Sequence, residues 1–307
     1  MRVSPFVLLS LSSLFWSFNF IIGKLVVDVV PPATITFFRW LLPLLFYLPF
    51  VWSDIRDNWE VYRRHWLLVL GLGATGYSLN SFTVYEAVRY TSTINTSFIN
   101  AFNPVLIALT GFLLYRYKTS AAQIMGFILS LAGVIWIIFK GNPVLIMSLE
   151  TNSGDLFMLG SNLAWSIHTI VYKRYTEQLP AKSLFVVMML GGVLVTIPFM
   201  AVENLTGGSG WIMQVSLRHI IGIVCLSIFP SVLAYRFWNQ ALDKVAANKV
   251  AVFQYLIPVY TVIISLLLLD ERLQSFQVIG GLLIFVGVLL VTNKGSEPKE
   301  ERERQAA

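Results

Sequence analysis

The chain has 307 residues, of which 56% are hydrophobic and only 12% are charged, and its mean hydropathy is +0.72. A water-soluble domain of this size does not bury so many apolar side chains, so the composition excludes a soluble protein and predicts an integral membrane protein. The single cysteine, Cys225, cannot form a disulfide within the chain.

Ten apolar runs follow one another along the chain, and each is close to the ~20 residues that a helix needs to cross the hydrocarbon core. The first run is too long and too aromatic to be the core of a signal peptide, so we count it as a span. The sequence therefore predicts an all-α membrane protein with ten transmembrane helices, at about 6–27, 33–52, 66–87, 92–115, 120–139, 154–175, 182–203, 219–242, 246–269 and 275–292.

The second half of the chain repeats the first. A shift of 154 positions places Pro258 on Pro104, and a shift of 149 places Trp165 on Trp16. Such a duplication predicts two five-helix repeats. The fifth and tenth runs hold glycines and few polar residues, so they are expected to be packing helices. The predicted units are a first repeat at 1–140, an extracytoplasmic connector at 141–153, a second repeat at 154–293 and a disordered cytoplasmic tail at 294–307.

The basic residues predict how the repeats are oriented. With the N-terminus in the cytoplasm, the inner segments hold 15 Lys and Arg residues and the outer segments hold five. This bias obeys the positive-inside rule and places both termini in the cytoplasm. The net charge of +6 therefore reflects membrane topology, and nucleic acid is not an expected partner. Because each repeat has an odd number of helices, the two repeats are expected to have inverted topologies.

Several motifs recur in both repeats or close the second one. They are Trp-Ser near the start of each copy, a proline at the same distance after an alanine, a Leu-Leu-Asp-Glu-Arg-Leu turn at 268–273 and a closing Gly-x6-Gly-Val at 280–288. Together they resemble EamA-type transporters of the drug/metabolite transporter superfamily. The resemblance implies a ten-helix carrier of the inner membrane whose cavity is lined by helices 1, 3, 4, 6, 8 and 9. It also implies export, and it leaves the substrate open because relatives carry amino acids, sugars, nucleotides or drugs.

The sequence contains no motif of an enzyme or of a cofactor site. Gly71–Gly76 has the spacing of the dinucleotide fingerprint, but it lies inside an apolar run, where small residues favour close helix packing instead. One cysteine and three histidines give no metal-ligand spacing. The sequence thus predicts a protein that is not an enzyme, that binds no cofactor or metal, and that does not itself hydrolyse ATP.

Polar and aromatic residues share one helical face in the six runs that the resemblance assigns to the cavity. The residues expected to bind substrate are Trp16, Asn19, Tyr77, Asn80, Asn100, Trp165, His168, Tyr235, Trp238 and Gln254. For each polar residue, a hydrogen bond to a neighbouring helix is an alternative role. For His168, a packing role is an equal alternative. Pro104 and Pro258 are candidate gating hinges, with static kinks as the alternative.

Charged residues inside the predicted spans are few. Arg39 is expected to turn inward and to pair with a carboxylate, for which Glu86 is the candidate. Arg236 either attracts an anionic group or extends to the cytoplasmic surface. No acidic residue lies near the middle of a span, so proton coupling through a buried carboxylate is not expected.

These features predict a secondary transporter that moves a small organic metabolite across the cytoplasmic membrane by alternating access, without ATP. Amino acids or related zwitterions suit a cavity of amide and aromatic side chains with little net charge. Two alternatives stay open: an exporter of cationic drugs, and a membrane scaffold or receptor that transports nothing. The expected partners are a small-molecule substrate and the lipid bilayer, and a monomer is compatible with the sequence.

Overall fold

A computed structural model describes residues 4–115, 120–142, 144–145, 151–208, 210–242, 244–245 and 253–292 of the chain. Within these ranges the regular structure is entirely helical. The helices that build the bundle are α1 (Pro5–Val26), α2 (Pro32–Asp57), α3 (Trp66–Tyr90), α4 (Thr93–Asn100), α5 (Asn103–Tyr115), α6 (Ala121–Ile138), α7 (Ser153–Tyr175), α8 (Ala181–Gly207), α9 (Leu217–Ala241), α10 (Phe253–Leu268) and α11 (Ser275–Thr292). A short helix at Trp59–Arg64 connects α2 to α3. About half of the predicted connector and the whole of the predicted tail lie outside the described residues.

Seven of the described helices are long and apolar enough to cross a membrane, namely α1, α2, α3, α6, α8, α9 and α11. The pair α4 and α5 makes an eighth span if its 42° bend is taken as a break within one span. The protein is therefore a multi-pass membrane protein. α7 is less apolar because it holds Asp155, Lys173 and Arg174, and α10 is short because its described part begins at Phe253. The count of ten spans stays a prediction.

Both candidate hinge prolines lie where a span is irregular. Pro104 is the second residue of α5, directly after the bend that separates α5 from α4. Pro258 follows a 3-10 turn at Phe253–Tyr255, with which α10 begins. Proline has no N–H to donate, so it fits the first turn of a helix and disfavours a continuous helix through the preceding residues. In both repeats the matched proline thus lies in the first turn of an α-helical segment.

α6 and α11 pack against each other through glycines, as the sequence predicts. A β-carbon added at Gly126 would lie 2.5 Å from the carbonyl oxygen of Gly287, and one added at Gly133 would lie 2.6 Å from that of Gly280. The two backbones are therefore in direct contact, which small residues permit in a membrane. The lower-numbered glycine of α6 meets the higher-numbered glycine of α11, so the two helices are antiparallel.

The centre of this contact lies on a local two-fold axis. The hydroxyl of Ser130 in α6 donates a hydrogen bond to the carbonyl oxygen of Ile284 in α11, at 3.3 Å. These two residues are 154 positions apart, which is the shift that superimposes the repeats in the sequence. A residue therefore contacts its own counterpart, and this happens only next to a two-fold axis.

α2 and α8 are related in the same way. Near the end of α8, the carboxylate of Glu203 accepts a hydrogen bond from the N–H of Thr34 in the first turn of α2, at 3.2 Å. Near the end of α2, the carboxylate of Asp54 accepts one from the hydroxyl of Ser183 in the first turn of α8. A shift of 149 positions carries Thr34 to Ser183 and Asp54 to Glu203, so the two contacts are repeat counterparts of each other. The repeat in the sequence is thus also a repeat of contacts.

The helices around the centre of the bundle depart from regular α geometry at matching positions. α3 contains a π-helical turn at Ala74–Leu79, and α9 contains one at Phe229–Leu233. A π turn holds more residues than an α turn, so it changes the direction of the side chains that follow. α1 packs against α9 and α10, and α7 packs against α3 and α5. The first helix of each repeat therefore lies within the other repeat.

Replacing Gly133 by Ala should weaken the bundle. The added methyl group would meet the carbonyl oxygen of Gly280 at 2.6 Å, so α6 and α11 must separate to accept it. We expect a loss of about 1–3 kcal/mol of stability, measured as a lower midpoint of thermal unfolding in detergent. Gly160→Ala on α7 is the matched control, because a methyl group there meets nothing within 4 Å. Equal midpoints for the two variants would contradict the packing role of Gly133.

Candidate substrate-binding site

A cavity of about 130 Å³ lies between the two repeats. Helices α1, α2, α3, α4, α5, α7, α9 and α10 all contribute to its lining, so both halves of the chain build it. The structure brings together in this lining seven of the ten residues expected to bind substrate, namely Trp16, Asn19, Asn80, Asn100, Trp165, Tyr235 and Gln254. The two candidate hinge prolines also line it. Their roles toward a substrate stay a prediction.

Three aromatic rings form one wall of the cavity. The ring of Tyr235 lies between those of Trp16, at 5.6 Å between centroids, and Trp165, at 6.4 Å. The three residues come from α9, α1 and α7, so the wall joins the two repeats. Rings packed edge-on or tilted support one another and leave a rigid apolar surface for a solute.

Tyr77 and His168 belong to a different place, the contact of α3 with α7 and α2. The ring of Tyr77 packs edge-on against Trp40, with centroids 4.6 Å apart. Nδ1 of His168 donates a hydrogen bond to the carbonyl oxygen of Leu72, at 3.0 Å, and neither residue lines the cavity. The π turn in α3 explains why regular helical spacing failed for Tyr77, since it breaks the register between Tyr77 and Asn80.

His168 also shows what the small residues of the third run do. A β-carbon at Gly76 would overlap the imidazole ring, and one at Gly73 would lie 2.6 Å from the carbonyl oxygen of Met188 in α8. At these two positions the run therefore serves close packing, as expected. Gly71 is different, because a β-carbon there meets nothing within 4 Å. Trp238, the third expected residue outside the lining, packs behind Trp16 with ring centroids 5.0 Å apart.

Arg39 also lines the cavity, and its hydrogen-bond partners differ from the carboxylate that the sequence predicts. Its side chain turns inward, as expected, and it is only 5% exposed. The pairing with Glu86 was wrong, because Glu86 lies near Arg89, at 4.0 Å. Arg39 instead donates to three neutral oxygens from three helices: Nε to the hydroxyl of Ser231 at 2.7 Å, and Nη1 to the amide oxygen of Asn19 at 2.6 Å and to the hydroxyl of Tyr85 at 2.8 Å.

Acidic side chains of the second repeat cap two helix N-termini at one end of the bundle. Glu271 accepts hydrogen bonds from the N–H groups of Thr93 and Ile94, at 2.9 and 3.1 Å, where α4 begins. Glu203 does the same at the start of α2. An anionic group at a helix N-terminus satisfies free N–H groups and interacts favourably with the helix dipole. We call the end of the bundle that holds Glu203 and Glu271 the sealed end.

A buried polar chain continues behind these caps. Asp155, at the start of α7, is fully buried and accepts hydrogen bonds from the hydroxyl of Thr91 at 2.7 Å and from the amide of Asn95 at 3.4 Å. Asn95 in turn accepts one from the amide of Gln277. Oδ2 of Asp155 has no partner among the described residues. The sealed end therefore holds a buried carboxylate, although it lies at the end of a helix and not at mid-membrane.

The comparisons with known proteins identify the family. The EamA-like transporter family matches residues 4–139 and 152–293, which together make up most of the chain. The protein belongs to the EamA-like transporter family. The family resemblance of the sequence motifs is thus confirmed.

Relatives of this EamA protein cover nearly its whole length. An uncharacterized transporter of Archaeoglobus fulgidus is 30% identical over 96% of this chain and 99% of its own. The uncharacterized transporter YyaM of Bacillus subtilis is 28% identical, with 96% and 95% covered. A probable amino-acid metabolite efflux pump of Escherichia coli is 21% identical, with 90% of each chain covered. A solved crystal structure that is 19% identical aligns with a TM-score of 0.61 over 95% of this chain and 98% of that one, which shows a shared fold.

The two halves of the EamA chain supply different chemistry to the cavity. The first half provides the cation Arg39 and four asparagines, Asn19, Asn80, Asn100 and Asn103. The second half provides three rings, Trp165, Tyr235 and Tyr255, and one amide, Gln254, while the first half adds the rings of Trp16 and Phe20. Asn103 could have been selected from its spacing of three residues after Asn100. No local signal marks Tyr255, because it lies in a 3-10 turn and not on a regular helical face.

Replacing His168 by Phe should lower stability without acting on the cavity. Phenylalanine keeps a ring but removes the Nδ1–H, which leaves the carbonyl of Leu72 only the longer bond from the hydroxyl of Thr75, at 3.5 Å. We expect a cost of about 1–3 kcal/mol, measured by thermal unfolding in detergent. Tyr172→Phe is the control, because Tyr172 stacks against the same ring and the change keeps that ring contact. An unchanged midpoint for His168→Phe would show that the hydrogen bond to Leu72 does not stabilise the fold.

Proposed function

We propose that this EamA protein is a secondary transporter that exports a small organic metabolite, an amino acid or a related zwitterion, by alternating access and without ATP. The observation that carries the proposal is the cavity between the two repeats, which is lined by five amide side chains and a wall of three aromatic rings. Amides recognise the polar groups of a solute, and the rings contact its apolar part. The Escherichia coli relative, a probable amino-acid metabolite efflux pump, supports amino-acid metabolites as the substrate class.

The size and charge of the cavity favour such a solute over a cationic drug. Its volume of about 130 Å³ is well below the ~300–1,000 Å³ of sites for drug-sized ligands. No Asp or Glu is among the described residues that line it, whereas Arg39 is. A lipophilic cation would therefore find no counter-charge in the cavity and would be repelled by the guanidinium.

For the topology, we propose ten transmembrane helices in two inverted repeats, with both termini in the cytoplasm. Two findings support inversion: the antiparallel contact of α6 with α11, and the exchanged contacts of α2 with α8. Arg56, Arg63 and Lys182 lie near the Asp54–Ser183 contact, at the end of the bundle opposite the sealed end. The positive-inside rule places that end in the cytoplasm and the sealed end outside. The protein would then receive its substrate from the cytoplasm.

Transport can be tested with purified protein in liposomes loaded with an equal mixture of the common amino acids. We expect selective efflux of one or a few of them, which is measured by mass spectrometry of the outer solution. Trp165→Ala should slow that efflux about tenfold or more, since a lost ring contact of roughly 1.4 kcal/mol changes affinity tenfold.

Trp136→Ala is the matched control for this experiment, because Trp136 lies on α6 and does not line the cavity. It should leave efflux within about twofold of the unchanged protein. If no solute moves at all, the scaffold or receptor alternative is favoured. If only a lipophilic cation added to the mixture moves, the protein is a cationic-drug exporter.

The proposed topology predicts which positions face the outside of a cell. In a Cys225→Ser background, an Arg272→Cys variant should react with a membrane-impermeant maleimide on intact cells, because position 272 directly follows Glu271 at the sealed end. An Arg116→Cys variant should react only after the cells are permeabilised, because position 116 is the repeat counterpart of 270 and inversion places it inside. Labelling of both variants on intact cells would refute the inverted arrangement.

A further inference from the structure

Arg39 presents an unbalanced charge to the cavity. The residue is 5% exposed and lines the cavity, yet its hydrogen bonds go only to the neutral oxygens of Ser231, Asn19 and Tyr85. None of the described carboxylates forms an ion pair with it. A buried cation without a counter-ion is costly, since neutral dipoles compensate only part of the lost hydration. A buried guanidinium without a counter-ion in the protein suits a ligand that carries a negative charge.

The geometry leaves part of the guanidinium free. Nε and Nη1 are held by the three oxygens, which come from α9, α1 and α3, so the plane of the group is fixed. Nη2 donates to none of the described residues. Its two N–H groups therefore remain available, on a group whose orientation is already set. A preorganised guanidinium of this kind is well suited to bind a carboxylate through charge-assisted hydrogen bonds.

The repeat counterpart of Arg39 is an apolar residue. A shift of 149 positions carries Arg39 to Met188 in α8, which is buried at 3% exposure. The same structural position is therefore occupied by an apolar side chain in the second repeat. α2 and α8 share their capping contacts, but only α2 brings a charge to the cavity.

A second residue of the cavity lining has a polar atom without a partner, and this atom accepts hydrogen bonds, whereas Arg39 donates them. Oδ1 of Asn103 is buried without a hydrogen bond among the described residues, while its Nδ2 donates to the amide oxygen of Asn100 at 3.3 Å. A buried amide oxygen without a donor is costly. Asn103 lines the cavity, so a rotation of its amide toward the cavity would let this oxygen accept from an N–H or O–H group of a solute that also accepts from Arg39.

We propose that Arg39 is the anion subsite of this cavity and binds the carboxylate of the transported solute. Asn103 accepts a hydrogen bond from a donor group of the same solute, such as its ammonium. The substrate class is then carboxylic acids of about amino-acid size, and solutes without the carboxylate are carried poorly. This inference rests on the transport function proposed above and narrows its substrate.

Pairs of solutes that differ only at the carboxylate test the subsite. Liposomes that contain the protein are loaded with L-leucine and L-leucinamide, L-phenylalanine and L-phenylalaninamide, and L-threonine and L-threoninamide. Efflux of each is followed by mass spectrometry and corrected for leakage from protein-free liposomes. For any pair that is transported, we expect the acid to leave at least about tenfold faster than its amide.

Substitution of Arg39 should remove this preference and not merely slow transport. In Arg39→Gln, we expect acid efflux to fall about tenfold or more and the acid-to-amide ratio to fall to within about twofold of one. Arg39→Lys keeps the charge, so it should retain a preference for the acid at a reduced rate. Tyr85→Phe and Ser231→Ala each remove one oxygen that holds the guanidinium and keep the charge, so they should also retain the preference.

A purely structural role of Arg39 gives a different result. Arg39→Gln would then slow acid and amide alike, and the ratio of the unchanged protein would persist, which overturns the inference. The unchanged protein tests the inference without any variant, because equal efflux of acid and amide from that protein would also overturn the anion subsite. Efflux of solutes that all lack a carboxylate refutes the anion subsite but leaves the transport function standing. The absence of efflux of every solute tested refutes the transport function itself.

Discussion

The backbone contact between α6 and α11 holds the two halves of this protein together. In a bilayer, the surrounding lipid is as apolar as the helices, so association depends on close packing and not on the hydrophobic effect. The glycines at 126, 133, 280 and 287 bring the two backbones into contact next to the local two-fold axis. With that axis fixed, the first helix of each repeat extends into the other repeat. The cavity lies at the centre, between the helices of the two repeats that are interleaved in this way.

The scaffold is symmetric, but the chemistry of the cavity is not. Duplicated positions keep their packing roles, as the exchange of Thr34 with Ser183 shows, whereas the residues that face the cavity have diverged. Arg39 corresponds to a buried Met188, and four of the five amides in the lining come from the first half. A lining that holds both amides and aromatic rings suits a solute that has both polar and apolar groups.

Much of this arrangement follows from the sequence, and the exceptions have physical reasons. Hydropathy located the helices, and helical spacing selected residues such as Trp16 and Asn80 that line the cavity. Spacing failed at Tyr77 because a π turn changes the register, and local propensities do not reveal such a turn. It failed at His168 because its partner, a carbonyl on another helix, depends on tertiary packing. The neighbours of Arg39 were missed for the same reason, since they come from three different helices.

The cap formed by Glu271 makes the two ends of the bundle chemically unequal. Glu271 holds the start of α4 at Thr93, but its counterpart in the first repeat is Tyr117, and the counterpart of Thr93 is Ala247. A tyrosine has no carboxylate to place at a helix N-terminus. A cap of this kind contributes about 0.3–1 kcal/mol. In an alternating carrier it would stabilise the state that is closed at the sealed end, and no equivalent cap would stabilise the state that is closed at the other end. An empty carrier of this kind would then spend more of its time closed at the sealed end than at the other end.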